Sequence, residues 1–96
     1  MKTIPAVYIM ASARDGAIHV GVTAHLIDRI TAQQGNGYIL VYVEFHRRVG
    51  DALAREKQLK GGSRDKKIAL IERLNPAWND LYDTMLFAFR FYGAEE

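Results

Sequence analysis

Two short apolar runs flanking a tight-turn signal constrain this chain more than any other feature. Ala6-Val-Tyr-Ile-Met10 carries β-branched and aromatic residues, and Ile18-His-Val-Gly-Val22 repeats that character after Arg14-Asp15-Gly16. An Asp-Gly pair between two β-rich runs points to an antiparallel hairpin. Side chains alternate along a strand, so Ile18, Val20 and Val22 share one face while His19 and Gly21 take the other. With Tyr8 on the face of His19, that face carries two polar rings.

The rest of the chain reads as helices around a further strand. Thr23 is suited to cap a helix from about Ala24 to Gln34, which Gly35-Asn36-Gly37 ends. Leu26 and Ile30 lie on its core side, Arg29 borders that side, and Gln33 follows one turn later. Tyr38-Ile-Leu-Val-Tyr-Val-Glu-Phe45 is the strongest strand, with a length suited to the middle of a sheet. A second helix is expected from Arg48 to Lys60, broken by Gly61-Gly62, with Val49, Ala52, Leu53 and Leu59 as its apolar stripe. Glu56 falls near the middle of that stripe, where an unpaired charge is costly to bury. Ser63 caps a third helix to about Asn75, with Ile68, Ile71 and Leu74 inward, and Pro76 stops it. The aromatic stretch Leu86 to Tyr92 suits either a strand or a short helix. The expected class is α+β: a small antiparallel sheet of about three strands flanked by three helices.

At 96 residues the chain makes one domain with one core. No window approaches a membrane span, and Met1-Lys2-Thr3-Ile4-Pro5 lacks the apolar run of a signal peptide, so the expectation is a cytoplasmic protein without a membrane partner. There is no cysteine, which excludes a disulfide framework and any thiolate nucleophile or ligand. A metal site would therefore use carboxylate, histidine or water, the ligands of hard ions such as Mg2+ or Mn2+.

Charge is unevenly distributed. Residues 47–75 hold nine basic side chains against four acidic ones, while residues 76–96 hold Arg90 against Asp80, Asp83, Glu95 and Glu96. A basic segment of this kind suits a phosphate backbone, with Arg55, Lys57, Lys60, Arg64, Lys66 and Lys67 as candidate contacts. The plain alternative is two solvated helix faces.

The order of these motifs resembles the GIY-YIG endonuclease superfamily, in its small stand-alone bacterial branch. Ala6-Val7-Tyr8 stands where the family has its first tripeptide and His19-Val20-Gly21 where it has the second. Ile18 to Thr23, followed by Leu26 and Arg29, matches the family's passage from strand to helix. Ala54-Arg-Glu-Lys-Gln-Leu-Lys60 resembles the branch's most distinctive helix, and Asn75-Pro-Ala-Trp-Asn-Asp-Leu-Tyr82 its closing segment. On this likeness residues 1–82 form the GIY-YIG-like domain and residues 83–96 an aromatic extension, packed on the same domain or on a partner.

The resemblance implies hydrolysis of a DNA phosphodiester with one Mg2+ or Mn2+ ion, in a repair, recombination or defence setting. Glu56 would hold the metal, and Arg29 would neutralise charge on the phosphoryl oxygens. Tyr8 or His19 would orient or deprotonate the attacking water. Asn75 would support the phosphate or the fold near it, and Gly21 would allow close approach of backbone or substrate. The chain departs from the family pattern at three places. His19 stands where tyrosine is usual, Gln33 where histidine is usual, and Gly35 to Tyr38 replaces a longer loop.

Two other readings stay open on the residues alone. One is a degenerate member that binds nucleic acid or a protein partner without cutting. The other is a structural or interaction module. A buried ion pair would explain Arg29 and Glu56 together, and Trp78, Tyr82, Phe87, Phe89 and Phe91 read as core or as the contact surface of a homodimer.

Overall fold

A computed structural model describes residues 3–12, 16–33 and 35–90. It is an α+β fold in which the chain runs β1 (Ala6–Ser12), β2 (Ile18–Thr23), α1 (Leu26–Gln33), β3 (Tyr38–Phe45), α2 (Val49–Gly61), α3 (Arg64–Leu74) and α4 (Tyr82–Ala88). The sheet is antiparallel with strand order β2-β1-β3. The hairpin forms as the apolar runs predict, closed by Ser12 N–H to Ala17 O and Gly16 N–H to Ser12 O. Arg14 and Asp15, which carry the turn signal, lie outside the described residues.

The middle strand is β1, not β3. All of Ala6 to Ala11 is buried, so β1 is covered on both faces and paired on both edges. Register slips between Ile9 and Met10, where β3 contributes one extra residue: Ile9 pairs with Tyr42 but Met10 with Leu40. This bulge changes the parity of β3. Tyr38 and Leu40 face the same core as Tyr8 and Met10, Val41 and Tyr42 both face the opposite core, and Val43 returns to the first.

Two cores result, one on each face of the sheet. The first gathers Ala6, Tyr8, Met10 and Leu40 beneath Leu26 and Ile30 of α1, with Tyr82, Met85 and Phe89 around α4 packed against it. The second gathers Ile9, Ala11, Val41 and Tyr42 against Ile71 of α3, with Ile18, Val20 and Trp78 alongside. Four helices form instead of three, because the stretch after Leu81 is helical through Ala88. Thr31 and Tyr82 join α1 to α4 through their hydroxyls at 3.0 Å.

Local signals hold with adjustments. Ser63 caps α3 by accepting the Lys66 N–H. Thr23 instead takes the His25 N–H at 2.9 Å, and α1 starts at Leu26. The expected stripe of α2 is corrected: Val49 and Leu53 are exposed, while Ala52 is buried and Arg55, Glu56 and Leu59 are half-buried on the same side. The cause is Glu44 of β3, which gives Arg55 a partner and turns that line of the helix inward. Leu74, expected inward on α3, is exposed at 72% because Asn75 ends the helix and turns into the sheet. Phe87 is exposed, Phe89 packs on Phe45 with ring centroids 6.0 Å apart, and Phe91 lies outside the described residues. Among the described residues no helix is long and apolar enough to cross a membrane.

The segment after α3 closes the outer edge of β3, which is why that edge is not open for pairing. Asn75 donates to Val41 O at 3.0 Å, Leu81 N–H donates to Leu40 O at 2.8 Å, and Asp80 Oδ1 accepts the Leu40 N–H at 3.1 Å.

Candidate functional site

Alternation along β1 and β2 puts Tyr8, Met10, His19 and Gly21 on one face, since Tyr8 pairs with Gly21 and Met10 with His19. The face opens into a cleft of about 240 Å3 bounded by Tyr8, Met10, His19, Gln33 and Tyr38, with Val20 and Gly21 along β2.

Gly21 is needed here for space. The Tyr8 ring lies across it, and a methyl at that position would stand 2.5 Å from Tyr8 Oη and 2.9 Å from Cε1. This close approach carries the phenol over β2 toward α1, where Arg29 Nη1 donates to Tyr8 Oη at 3.5 Å, a long contact. Tyr8 is buried at 5% exposure, whereas Arg29 is exposed. The arrangement therefore presents the Tyr8 hydroxyl at one end of the cleft, with the exposed Arg29 cation beside it.

The other end is built by the shortened loop. Gly35 and Gly37 have φ of 90° and 82°, a left-handed backbone that lets α1 pass into β3 within four residues. Tyr38 thereby begins β3 opposite Ser12, and its ring meets His19 across the central strand. The rings pack edge to face with centroids 5.0 Å apart, and His19 Nε2 lies 3.1 Å from Tyr38 Oη. Gln33 lines this end, half-buried, and its side-chain amide has no partner among the described residues.

Glu56 does not line the cleft. It sits on α2, which packs against β2 and β1, and its carboxylate takes Lys60 Nζ at 3.1 Å. The ion pair between Arg29 and Glu56 is therefore not formed: Arg29 faces Tyr8 and Glu56 faces Lys60. Asn75 is buried with its amide committed to backbone, donating to Val41 O and Asn79 O and accepting from Asn79 N–H, each at 3.0 Å.

Among the basic candidates, three have partners within the chain. Arg55 Nε donates to Glu44 at 2.8 Å, Lys60 pairs with Glu56, and Arg64 Nη2 donates to Gly16 O at 2.7 Å. Lys57 and Lys66 are exposed, Lys67 is half-buried, and none of the three forms an ion pair among the described residues.

Two groups escaped the sequence reading. Tyr38 is one; it begins the strand read from the sequence, but its place on the face of Tyr8 depends on the register of β3 against β1, which the strand pattern alone does not give. The other is a polar network around Glu44, whose carboxylate accepts from Tyr42 Oη, Arg55 Nε at 2.8 Å and His46 Nε2 at 2.8 Å. Burial pushes the Glu44 carboxyl up, but the bonds from Tyr42, Arg55 and His46 outweigh it and hold it below the usual range. Burial and the neighbouring Glu44 push the Tyr42 phenol above its ordinary value. The bond to Glu44 raises Arg55 further.

In comparisons with protein-family models, curated proteins and solved structures, nothing matches the chain.

Proposed function

We propose that the cleft is the reaction centre of a metal-dependent DNA endonuclease of GIY-YIG type, hydrolysing phosphodiester bonds. The observation that carries this reading is the meeting of the Tyr8 hydroxyl, the Arg29 guanidinium and the His19 ring around Gly21, four residues from three separate stretches of chain. Arg29 is exposed and, among the described residues, held by one long contact, which leaves its planar fork available to a phosphate. In the tautomer that donates Nε2–H to Tyr38 Oη, His19 has Nδ1 left to accept a proton. The water oxygen bonds to phosphorus as the P–O bond to the departing strand breaks. The water's proton passes to His19, and the departing oxygen takes a proton from solvent. Tyr8 orients the water through its hydroxyl. Asn75 contributes by holding β3 and the segment behind it in place.

No group of three or more metal-ligating side chains is assembled among the described residues. Mg2+ or Mn2+ keeps most of its waters and uses one carboxylate with substrate phosphate, and the carboxylate the family resemblance assigns to that role is Glu56, which stands outside the cleft lining and is paired with Lys60. Glu56, half-buried beside β2, would hold the ion, with Lys57, Lys66 and Lys67 along the DNA backbone. A metal so held would polarise the scissile phosphate and stabilise the departing oxygen.

The test is cleavage of supercoiled, branched and single-stranded DNA at low salt, with Mg2+ or Mn2+ against chelator. Glu56→Ala, prepared identically, is expected to keep the fold and lose cleavage. Retained cutting in that variant removes the role of Glu56. A second reading, DNA binding without cleavage, is favoured by one observation: Glu56 is paired with Lys60, and among the described residues no carboxylate lines the cleft. That reading is chosen if neither protein cuts and binding fades as salt rises.

A further inference from the structure

We infer that the Gln33–Tyr38–His19 end of the cleft is a pocket for one unpaired nucleobase, so that the substrate is a single strand or a frayed junction rather than closed duplex. The inference rests on the proposed nucleic-acid reading and narrows it.

Four observations carry it. The cleft, at about 240 Å3, is smaller than the ~300–1,000 Å3 typical of sites for drug-sized molecules, and it suits a single planar ring system. Two aromatic rings bound it at this end, and an edge-to-face contact uses at most one face of either, which leaves ring surface for a base to stack on. The Gln33 amide offers a donor and an acceptor, is half-buried in the lining, and has no partner among the described residues. An amide of this kind matches the hydrogen-bonding edge of a base. The Met10 side chain gives the pocket an apolar floor, where a base edge that reaches no partner is penalised.

Spacing along α1 ties this pocket to the Arg29 end. Arg29 and Gln33 stand one turn apart, about 6 Å along the helix axis, comparable with the separation of a phosphate from the base of its own nucleotide. A nucleotide with its phosphate on Arg29 thus brings its base to Gln33 and Tyr38. A paired base would keep its neighbour across the helix and could not enter a cleft of this width.

The experiment measures binding of the full-length chain by fluorescence anisotropy in chelator, so that cleavage plays no part. The probes are a labelled oligo-deoxyadenylate, an abasic strand of equal length and charge, the matching duplex, and deoxyadenosine monophosphate as competitor. The base-bearing strand is expected to bind about ten-fold more tightly than the abasic strand, the effect of one stacked base. Tyr38→Ala should remove that difference, while Tyr38→Phe, which keeps the ring and controls for folding, should preserve most of it. Gln33→Ala should narrow the preference among bases. Equal affinity for base-bearing and abasic strands overturns the pocket, as does preferred binding of duplex or an unchanged Tyr38→Ala. A mononucleotide that binds as tightly as the strand overturns the assignment to polymeric substrate. Base-dependent binding without any cutting leaves the pocket standing and removes the nuclease; cutting without base dependence does the reverse.

Discussion

Replacing Asn75 by alanine should cost this fold about 3 kcal/mol, and the figure follows from three bonds. The residue is only 7% exposed, and its amide links Val41 O, Asn79 O and Asn79 N–H, each at 3.0 Å. An intramolecular hydrogen bond contributes a net ~1 kcal/mol, and more where the abandoned partner stays dry. Alanine removes all three bonds at once and leaves Val41 O with no donor from the segment that covers the edge of β3. A domain of this size has roughly 5–15 kcal/mol to lose. With a urea slope of roughly 1–3 kcal/mol per molar, the midpoint should fall by roughly 1–3 M. Asn75→Asp sharpens the test. An aspartate keeps the acceptor for Asn79 N–H but sets an oxygen against two carbonyls. It should be no more stable than alanine at neutral pH, and it should recover part of the loss in acid, where the protonated carboxyl donates to one of them. Urea curves that place Asn75→Ala within ~0.5 kcal/mol of the parent, or Asn75→Asp above it at neutral pH, would refute this account of residues 75–81.

Two further outcomes follow from the same kind of geometry. Gly21→Ala must displace the Tyr8 ring, at about 1–3 kcal/mol for overpacking a filled space; in a Tyr8→Ala background most of that cost should vanish, and a double-mutant cycle by urea unfolding measures it. Stability should be level through neutral pH and decline at both extremes. The depressed Glu44 carboxyl gives a contribution that is complete above its ordinary value of 4.5 and lost as pH falls through its lower folded value. The raised Tyr42 phenol gives one that is complete below 10.0 and lost as pH rises through its higher folded value. Glu44→Gln should flatten the acid decline and Tyr42→Phe the alkaline one, read from thermal melts across pH.

The parts of the fold legible in the sequence are those governed by neighbours along the chain. The hairpin strands, the buried Leu26 and Ile30 four residues apart, the Ser63 cap and the stop at Pro76 each depend on a few adjacent residues. The parts that were not legible depend on partners far away. Arg55 turns inward on α2 because Glu44 stands on β3, and no periodic pattern within the helix reveals a partner eleven residues earlier. The strand order escaped for a related reason. β3 is the longest and most β-rich run, yet its outer edge is satisfied by Asn75, Asp80 and Leu81 rather than by a fourth strand, which frees the shorter β1 to take the centre.

The same distinction explains the site. Tyr8, His19 and Gly21 meet because of strand alternation, and alternation can be read from a sequence. Tyr38 meets His19 only because Gly35 and Gly37 shorten the passage from α1 to β3 and because the bulge sets the parity of β3 beyond Leu40. The shortened loop thereby sets the Tyr38 phenol beside the His19 imidazole. A cleft assembled this way holds an imidazole and two phenols, with the Arg29 guanidinium touching one of them at 3.5 Å and the Glu56 carboxylate apart on a helix beside β2. On the proposed function, grip on the nucleic acid and hydrolysis would draw on different elements, and substitutions at Tyr38 and at Glu56 should separate them.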